Sequence, residues 1–355
     1  MNPDGNAGKS KVQSNRGCGS AAPVLRKKKE GNTGMKQANS ETAVSACKNQ
    51  KRVNKQTRKH NRIGLLFASP WLIGFVLFTI VPITMAFYYS FTNYDMFNKC
   101  EWVGLKNYAD ILKDPYIGIS LINTAYIVIV GTPIGLIVAL GLAMLLNQKN
   151  VCGLPFFRTI FYLPSLVPIV ASAMLFIWVL NGNYGLLNQL LKLFGIQGPY
   201  WLNDPQYTKI SLIMMDTWRC GGSMIIFIAA LRSVPVSLYD SASLDGAGKF
   251  QQFIHITLPF ISPTIQFNLL MGMINRFQYF TQAYVFSSLT DMSGSVGGGP
   301  GNSMLFYCLY LYRQAFLFYK MGYACAMAIL LFIIIMAATF VTLRISNRAV
   351  NYEVE

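Results

Sequence analysis

Long apolar runs set the pattern of this chain. Six of them follow one another, at roughly 64–91, 120–146, 159–180, 208–231, 260–286 and 322–344. Each is long enough to cross a ~30 Å hydrocarbon layer, which takes about 20 helical residues. Lipid offers no hydrogen-bond partner to open backbone, so the runs predict helices. The fold class is therefore all-α and polytopic, with about six transmembrane helices and short connections. Pro70, Pro82, Pro133, Pro164 and Pro168 lie in or at the ends of the first three runs. They mark kinks, which membrane helices tolerate when neighbours satisfy the freed carbonyls. No internal repeat is visible, which counts against many secondary-transporter folds.

Composition agrees with this pattern. The 355 residues are 53% hydrophobic and 12% charged, against about 25% charged in soluble domains. The net charge of +16 is concentrated at one end. Residues 1–63 hold fifteen Lys and Arg against Asp4, Glu30 and Glu41, so twelve of the sixteen charges lie there. Such a segment cannot bury enough apolar surface to fold alone, and residues 1–62 are expected to form a disordered basic tail. Nucleic-acid binding is disfavoured, since the basic residues form a tail and not a patch on a fold. The charges run into a long apolar stretch, an anchor pattern and not that of a cleavable signal peptide.

Orientation follows from the same flank. Lys48, Lys51, Arg52, Lys55, Arg58, Lys59 and Arg62 immediately precede the first run, so the positive-inside rule places this end in the cytoplasm. Six crossings return the other end, residues 347–355 with Arg348, to the same side. Loops 147–158 and 232–259 then face inward; loops 92–119, 181–207 and 287–321 face outward.

The chain carries no recognisable catalytic constellation. Its seven Cys and two His form neither a CxxC nor a Cys/His cluster, so no metal site is expected. Gly8-Lys9-Ser10 matches only the end of a phosphate loop: the pattern's first Gly would fall on Pro3, and no strand precedes it. ATP hydrolysis is not expected on this chain. A membrane enzyme lacks support from any Ser/His, HExxH or clustered acidic motif. An ion-coupled secondary transporter would need a carboxylate or His relay inside the membrane. Only Asp216 is a candidate, and Asp216 with Arg219 reads as a self-neutralising i,i+3 pair.

The most patterned loop is 232–259, RSVPVSLYDSASLDGAGKFQQFIHITLP. Ser237 and Asp240 fit a capping box, with Ser237 at the N-cap and Asp240 at N3. Gly246 and Gly248 permit a sharp turn, and a second short helix over about 249–256 leads to Leu258-Pro259. This gives a small helix–turn–helix along the inner face. In the fifth run, Asn275-Arg276-Phe277-Gln278-Tyr279-Phe280-Thr281-Gln282 interleaves polar groups with aromatics. Hydroxyl-rich sugars need that mixture of hydrogen bonds and ring faces, and an intramembrane Arg is a functional candidate by default. The same residues could instead pack against another subunit. Tyr307, Tyr310, Tyr312 and Tyr319 read as membrane-interface anchors.

Asp240-Ser241-Ala242, Asp245-Gly246-Ala247 and Ile256-Thr257-Leu258-Pro259 resemble the EAA loop of binding-protein-dependent ABC importer permeases, with Asp for Glu and Ser for the first Ala. The likeness extends over most of 62–346. Phe67-Ala68-Ser69-Pro70-Trp71-Leu72, Val103 to Tyr108, Asn123-Thr124, Phe161 to Pro164, Tyr184 to Asn188 and Gly298 to Phe316 are similar to carbohydrate permeases of the maltose type. The resemblance implies a type I permease fold in the bacterial cell membrane, with a permease domain at 63–346. It implies a second homologous permease, a cytoplasmic ATPase dimer holding ATP and Mg²⁺, and an extracellular solute-binding protein. Asp240, Ser241, Ala242, Asp245, Gly246, Ala247, Leu258 and Pro259 would couple to the ATPase, and Asp240 would pair with one of its basic residues. Related permeases place sugar contacts in the fifth-run stretch, which points to Arg276, Gln278, Tyr279 and Gln282. The implied cargo is a di- or oligosaccharide. Arg276 stands where small or amide residues are usual, which suggests an acidic sugar, a salt bridge to a partner subunit, or glycerol-3-phosphate as competing cargo.

Overall fold

The computed structural model describes residues 64, 66–97, 99–148, 153–290 and 297–346. The expected basic tail 1–62 and the segment 347–355 lie outside them. The chain divides into two units, Met1–Phe75 and Val76–Glu355. In the first, the described residues are helical, and Trp71 stacks on Phe75 with ring centroids 5.4 Å apart.

The second unit is helical almost throughout. Its principal elements are α1 (Val81–Tyr89), α2 (Lys106–Lys113), α3 (Pro115–Leu146), α4 (Leu154–Leu166), α5 (Ile169–Val179), α6 (Leu186–Leu193), α7 (Pro205–Trp218) and α8 (Gly221–Ser233). They continue with α9 (Val236–Leu244), α10 (Lys249–Phe260), α11 (Ser262–Phe277), α12 (Thr281–Thr290), α13 (Tyr307–Tyr312) and α14 (Met321–Ser346). Among the described residues the one isolated antiparallel bridge joins Thr92 to Trp102.

Three helices can cross a membrane unbroken: Leu66–Tyr89, α3 and α14. Three more candidate spans are bent pairs: α4 with α5 at 100°, α7 with α8 at 49°, and α10 with α11 at 65°. The sequence pattern of about six spans is thus met, with two corrections. The fifth run, expected as one stretch over 260–286, ends as a helix at Phe277 and restarts at Thr281. The third is broken at Val167-Pro168, where both residues are extended, because a residue before proline is pushed out of the helical region.

The prolines leave a regular mark. Wide π-helical turns occupy Val76–Ile80, Ile127–Gly131 and Phe253–Thr257, and Pro82, Pro133 and Pro259 each follow two residues after one of them; a fourth, Arg313–Leu317, has no proline after it. Proline removes an amide donor and crowds the carbonyl four residues back. A widened turn relieves that crowding without ending the helix. Pro259 of the expected coupling motif therefore shapes the helix that enters the fifth span.

Three asparagines that carried the family resemblance prove to be loop clasps. Asn107 Nδ2 donates to Ser90 O (2.8 Å) and Thr92 O (2.9 Å). Asn123 Nδ2 donates to Asn302 O (2.8 Å) and Leu305 O (3.0 Å), while Thr124 Oγ1 accepts from Tyr307 N. Asn188 Nδ2 donates to Gly182 O and Pro199 O, and its Oδ1 accepts from Trp201 Nε1 at 2.7 Å. All three side chains are buried. An amide is suited to the task because it donates twice and accepts once or more in one plane.

Among the described residues the core forms three clusters: α3, α5, α7 and α12 meet Met304 and Phe306; α2, α3, α13 and α14 surround Tyr307; and α3 packs on α8 around Phe227. Phe227, Phe286, Phe306 and Tyr307 are fully buried. Two of the expected interface anchors are thus core residues. Tyr307 Oη donates to Met327 O, and Tyr310, 2% exposed, donates to Asp114 Oδ2. Burial first, then the Asp114 carboxylate, holds the Tyr310 hydroxyl well above its usual pKa, so it remains a donor. Tyr312 joins a ring cluster with Phe280, Tyr284 and Phe316, and Tyr319 stays exposed.

Candidate functional site

Two places gather the residues that the sequence singled out. The first is a cleft of about 280 Å³ between α3, α7, α8 and α11. Asp216, Arg276, Tyr279 and Gln282 line it, with Thr132, Asn268 and Asn275. Arg276 Nε lies 4.0 Å from Asp216 Oδ2, and the two side chains are only 16% and 13% exposed. Tyr279 Oη donates to Asp216 Oδ1 at 3.3 Å, and the Gln282 side chain also hydrogen-bonds to this carboxylate. Tyr279 is held in turn by an edge-to-face contact with Phe306 at 5.1 Å.

The guanidinium needs room against α3, and glycines supply it. A Cβ on Gly131 would lie 3.1 Å from Arg276 Nε, and one on Gly135 would lie 3.1 Å from Arg276 Nη2. With i,i+4 spacing they form one face of the helix. Sequence reading missed this cradle, although the small-xxx-small spacing of Gly131 and Gly135 was a legible signal for close approach in a membrane helix.

The expected Asp216–Arg219 pair is replaced by Asp216–Arg276. Arg219 follows the end of α7, and its Nη1 donates to Val167 O (2.5 Å) and Ser172 Oγ (2.6 Å). It satisfies the carbonyl left open at the α4–α5 break. Arg276, for which the sequence leaves an acidic sugar, a partner-subunit salt bridge and glycerol-3-phosphate as alternatives, has an ion-pair partner in Asp216 of its own chain. Gln278 follows the last turn of α11, is exposed, and does not line the cleft. The break after Phe277 swings it away from Tyr279 and Gln282.

The second place is the hairpin α9–α10. Its turn follows from sequence chemistry. Gly246, at φ +79°, takes the left-handed conformation that ends a helix cheaply only at glycine. Ala247 N then donates to Ala242 O (2.9 Å) and Gly246 N to Ser243 O (3.2 Å), the paired bonds of a Schellman cap. Gln251 reaches back to Gly248 N at 3.0 Å and opens α10. Tyr239 Oη and Thr257 Oγ1, 2.8 Å apart, tie the two helices together, as does Gln252 Nε2 donating to Ser243 Oγ at 2.9 Å.

The capping box expected at Ser237 and Asp240 does not form. Pro235 occupies the N-cap position, α9 begins at Val236, and Ser237 sits inside its first turn. Proline's fixed φ favours that earlier start. Asp240 is therefore not tied up in capping. Ser237, Asp240, Ser241 and Leu244 are all exposed, at the i, i+3, i+4, i+7 spacing of one helix face. Leu244 is 90% exposed and Phe250 75%. Ala242 and Ala247 are half-buried and joined by their backbone hydrogen bond, and Leu258 and Pro259 belong to the root of the hairpin.

Residues 131–352 match the family model described as the inner membrane component of binding-protein-dependent transport systems. The chain belongs to this family. The permease is 38% identical over 302 residues to the probable ABC transporter permease protein YesP of Bacillus subtilis (strain 168), covering 84% of this chain and 95% of that one. It is 30% identical over 288 residues to the arabinooligosaccharides transport system permease protein AraP of the same organism, covering 79% and 88%. The crystal structure of a bacterial ABC transporter involved in the import of the acidic polysaccharide alginate contains a chain of the same fold. The TM-score is 0.68 at 24% identity, over 84% of this permease and all of that chain. The chain is thus an ABC sugar transport permease by family, with the type I importer permease fold, and a membrane component.

Proposed function

We propose that this permease is one of two membrane-spanning subunits of an ATP-driven importer for a di- or oligosaccharide. A separate ATPase dimer holds ATP and Mg²⁺ and hydrolyses the nucleotide. An extracellular solute-binding protein delivers the cargo, and a second, homologous permease completes the pathway. The permease domain is 63–346, flanked by tails 1–62 and 347–355, with both chain ends in the cytoplasm.

The observation that carries this reading is the exposed face of α9. A short helix, stiffened by a Schellman cap and two side-chain ties, presents Asp240, Ser241 and Leu244 outward with no side-chain partner among the described residues. Such a helix suits docking in a groove of another protein. Motion of the closing ATPase then reaches the membrane spans through the root of the hairpin at Leu258-Pro259. Asp240 pairs there with a basic group of the ATPase.

The cargo reading rests on the cleft and on the oligosaccharide that AraP transports by name. Tyr279, Gln282, Asn275 and Asn268 offer hydroxyl and amide groups around a charge pair that is already balanced. Asp216 pairs with Arg276, but Arg219 also lines the cleft and bonds only to neutral acceptors, so the lining carries a net positive charge and glycerol-3-phosphate stands as the competing cargo.

The test is co-purification of the permease with its three partners, reconstitution in proteoliposomes, and uptake of arabinotriose, lactose and maltotriose. ATP-dependent uptake of at least one is expected. Asp240→Lys is expected to insert normally and to lose cargo-stimulated ATP hydrolysis. Unchanged stimulated hydrolysis in that variant would refute the coupling role, and failure of all three sugars would refute the cargo class.

A further inference from the structure

A second polar cavity among the described residues is larger than the cleft at Asp216. It lies between the segment 93–114 and the segment 314–323, and its volume is about 610 Å³, within the ~300–1,000 Å³ usual for small-molecule sites. The sequence assigns both segments to the outward side. Nothing in the coupling or cleft reading uses it.

Its walls have a distinct chemistry. Tyr94, Phe97 and Tyr319 present ring surface, and the Phe97 and Tyr319 rings meet in a T-shaped contact with centroids 5.2 Å apart. Between the rings stand Asp110, Asp114 and Gln314. Lys106 and Lys320 share the lining with these carboxylates and with Asp95, so charges of both signs are present, with acidic groups in slight excess. Rings alternating with hydrogen-bonding groups of both kinds match a sugar ring, which has apolar faces and a hydroxyl rim.

The cavity is built, not incidental. Asp114 Oδ2 accepts from both Tyr310 and Tyr323, and Gln314 Nε2 donates to Tyr310 Oη. That chain fixes the Gln314 amide, and its Oε1 is left buried without a partner. The opposite wall is anchored where Gly322 N donates to Tyr94 O at 2.8 Å. Tyr319 itself has φ +56°, a left-handed conformation that costs a bulky side chain energy. The fold holds this ring at the cavity rim against its backbone preference.

We propose that this cavity is a second carbohydrate subsite, distinct from the cleft, which takes one sugar ring of an oligosaccharide against Tyr319 and hydrogen-bonds it through Asp110. It rests on the sugar-import reading above. A trisaccharide would engage it more than a disaccharide.

The test uses the reconstituted four-component importer and compares KM for maltotriose with KM for lactose. Glycine adopts φ +56° without strain, so Tyr319→Gly removes the ring and should leave the chain as stable as before or more so. Its KM for the trisaccharide should rise about two- to tenfold, the scale of one aromatic contact. KM for lactose should change less. Tyr319→Phe, which keeps the ring, should behave as wild type, and Asp110→Asn should raise the trisaccharide KM alone. Equal rises for both sugars would mean a docking surface for the binding protein and would overturn the subsite. Unchanged KM in Tyr319→Gly and Asp110→Asn would also overturn it, while wild-type transport left the import reading intact. A wild-type complex that moves no sugar would instead defeat the reading beneath.

Discussion

Asp216 and Arg276 offer the sharpest test of the cleft, because each alone is a charge inside a membrane bundle. At 4.0 Å their attraction is about 4 kcal/mol with an effective dielectric near 20. That is a ceiling, since desolvation offsets much of it. Removing one partner leaves the other uncompensated in a site with little exposure, which costs roughly 3–5 kcal/mol. The separation is long for an ion pair, and Arg276 Nε has no hydrogen-bond partner. Both facts put each single change near the lower end, about 3 kcal/mol. Asp216→Asn keeps an acceptor for Tyr279, and Arg276→Met keeps the volume against Gly131 and Gly135. The double variant should therefore lose much less than the sum, with a coupling energy of about 2–3 kcal/mol. The assay is an unfolding titration of the purified permease in mixed micelles, followed by Trp fluorescence, for wild type, both singles and the double. Additive singles, with coupling below about 0.5 kcal/mol, would show that the two charges do not act as a unit.

Further outcomes follow from the loop contacts. Asn123→Ala strips two donors from the carbonyls of Asn302 and Leu305 and should cost about 1–3 kcal/mol in the same titration. Gly322→Ala should cost about 1–3 kcal/mol, because its Cβ would overlap the Thr92 carbonyl oxygen, a backbone atom that cannot rotate away. Wild-type stability in Gly322→Ala would mean that the 92–94 segment is not seated as described.

The sequence by itself determined the spans, because apolar length is a local property that lipid selects directly. It also determined the α9–α10 turn: Asp245-Gly246-Ala247 specifies a Schellman cap through backbone preference alone, with no distant contact needed. The start of α9 shows where local rules compete, since Pro235 set the N-cap before Ser237 could. The family motifs were legible as words but not as contacts. Asn123 and the segment 297–307 lie far apart in the chain, and only folding reveals that one amide clasps the other's carbonyls. The partner of Asp216 was likewise beyond reach. Arg219 is nearer in sequence, yet the break between α4 and α5 frees a carbonyl that claims it. Arg276, sixty residues away, is brought to the carboxylate by the packing of α11 against α3, on glycines that leave its guanidinium space. Charge pairing in a bundle depends on which helices adjoin, and sequence spacing carries no such information.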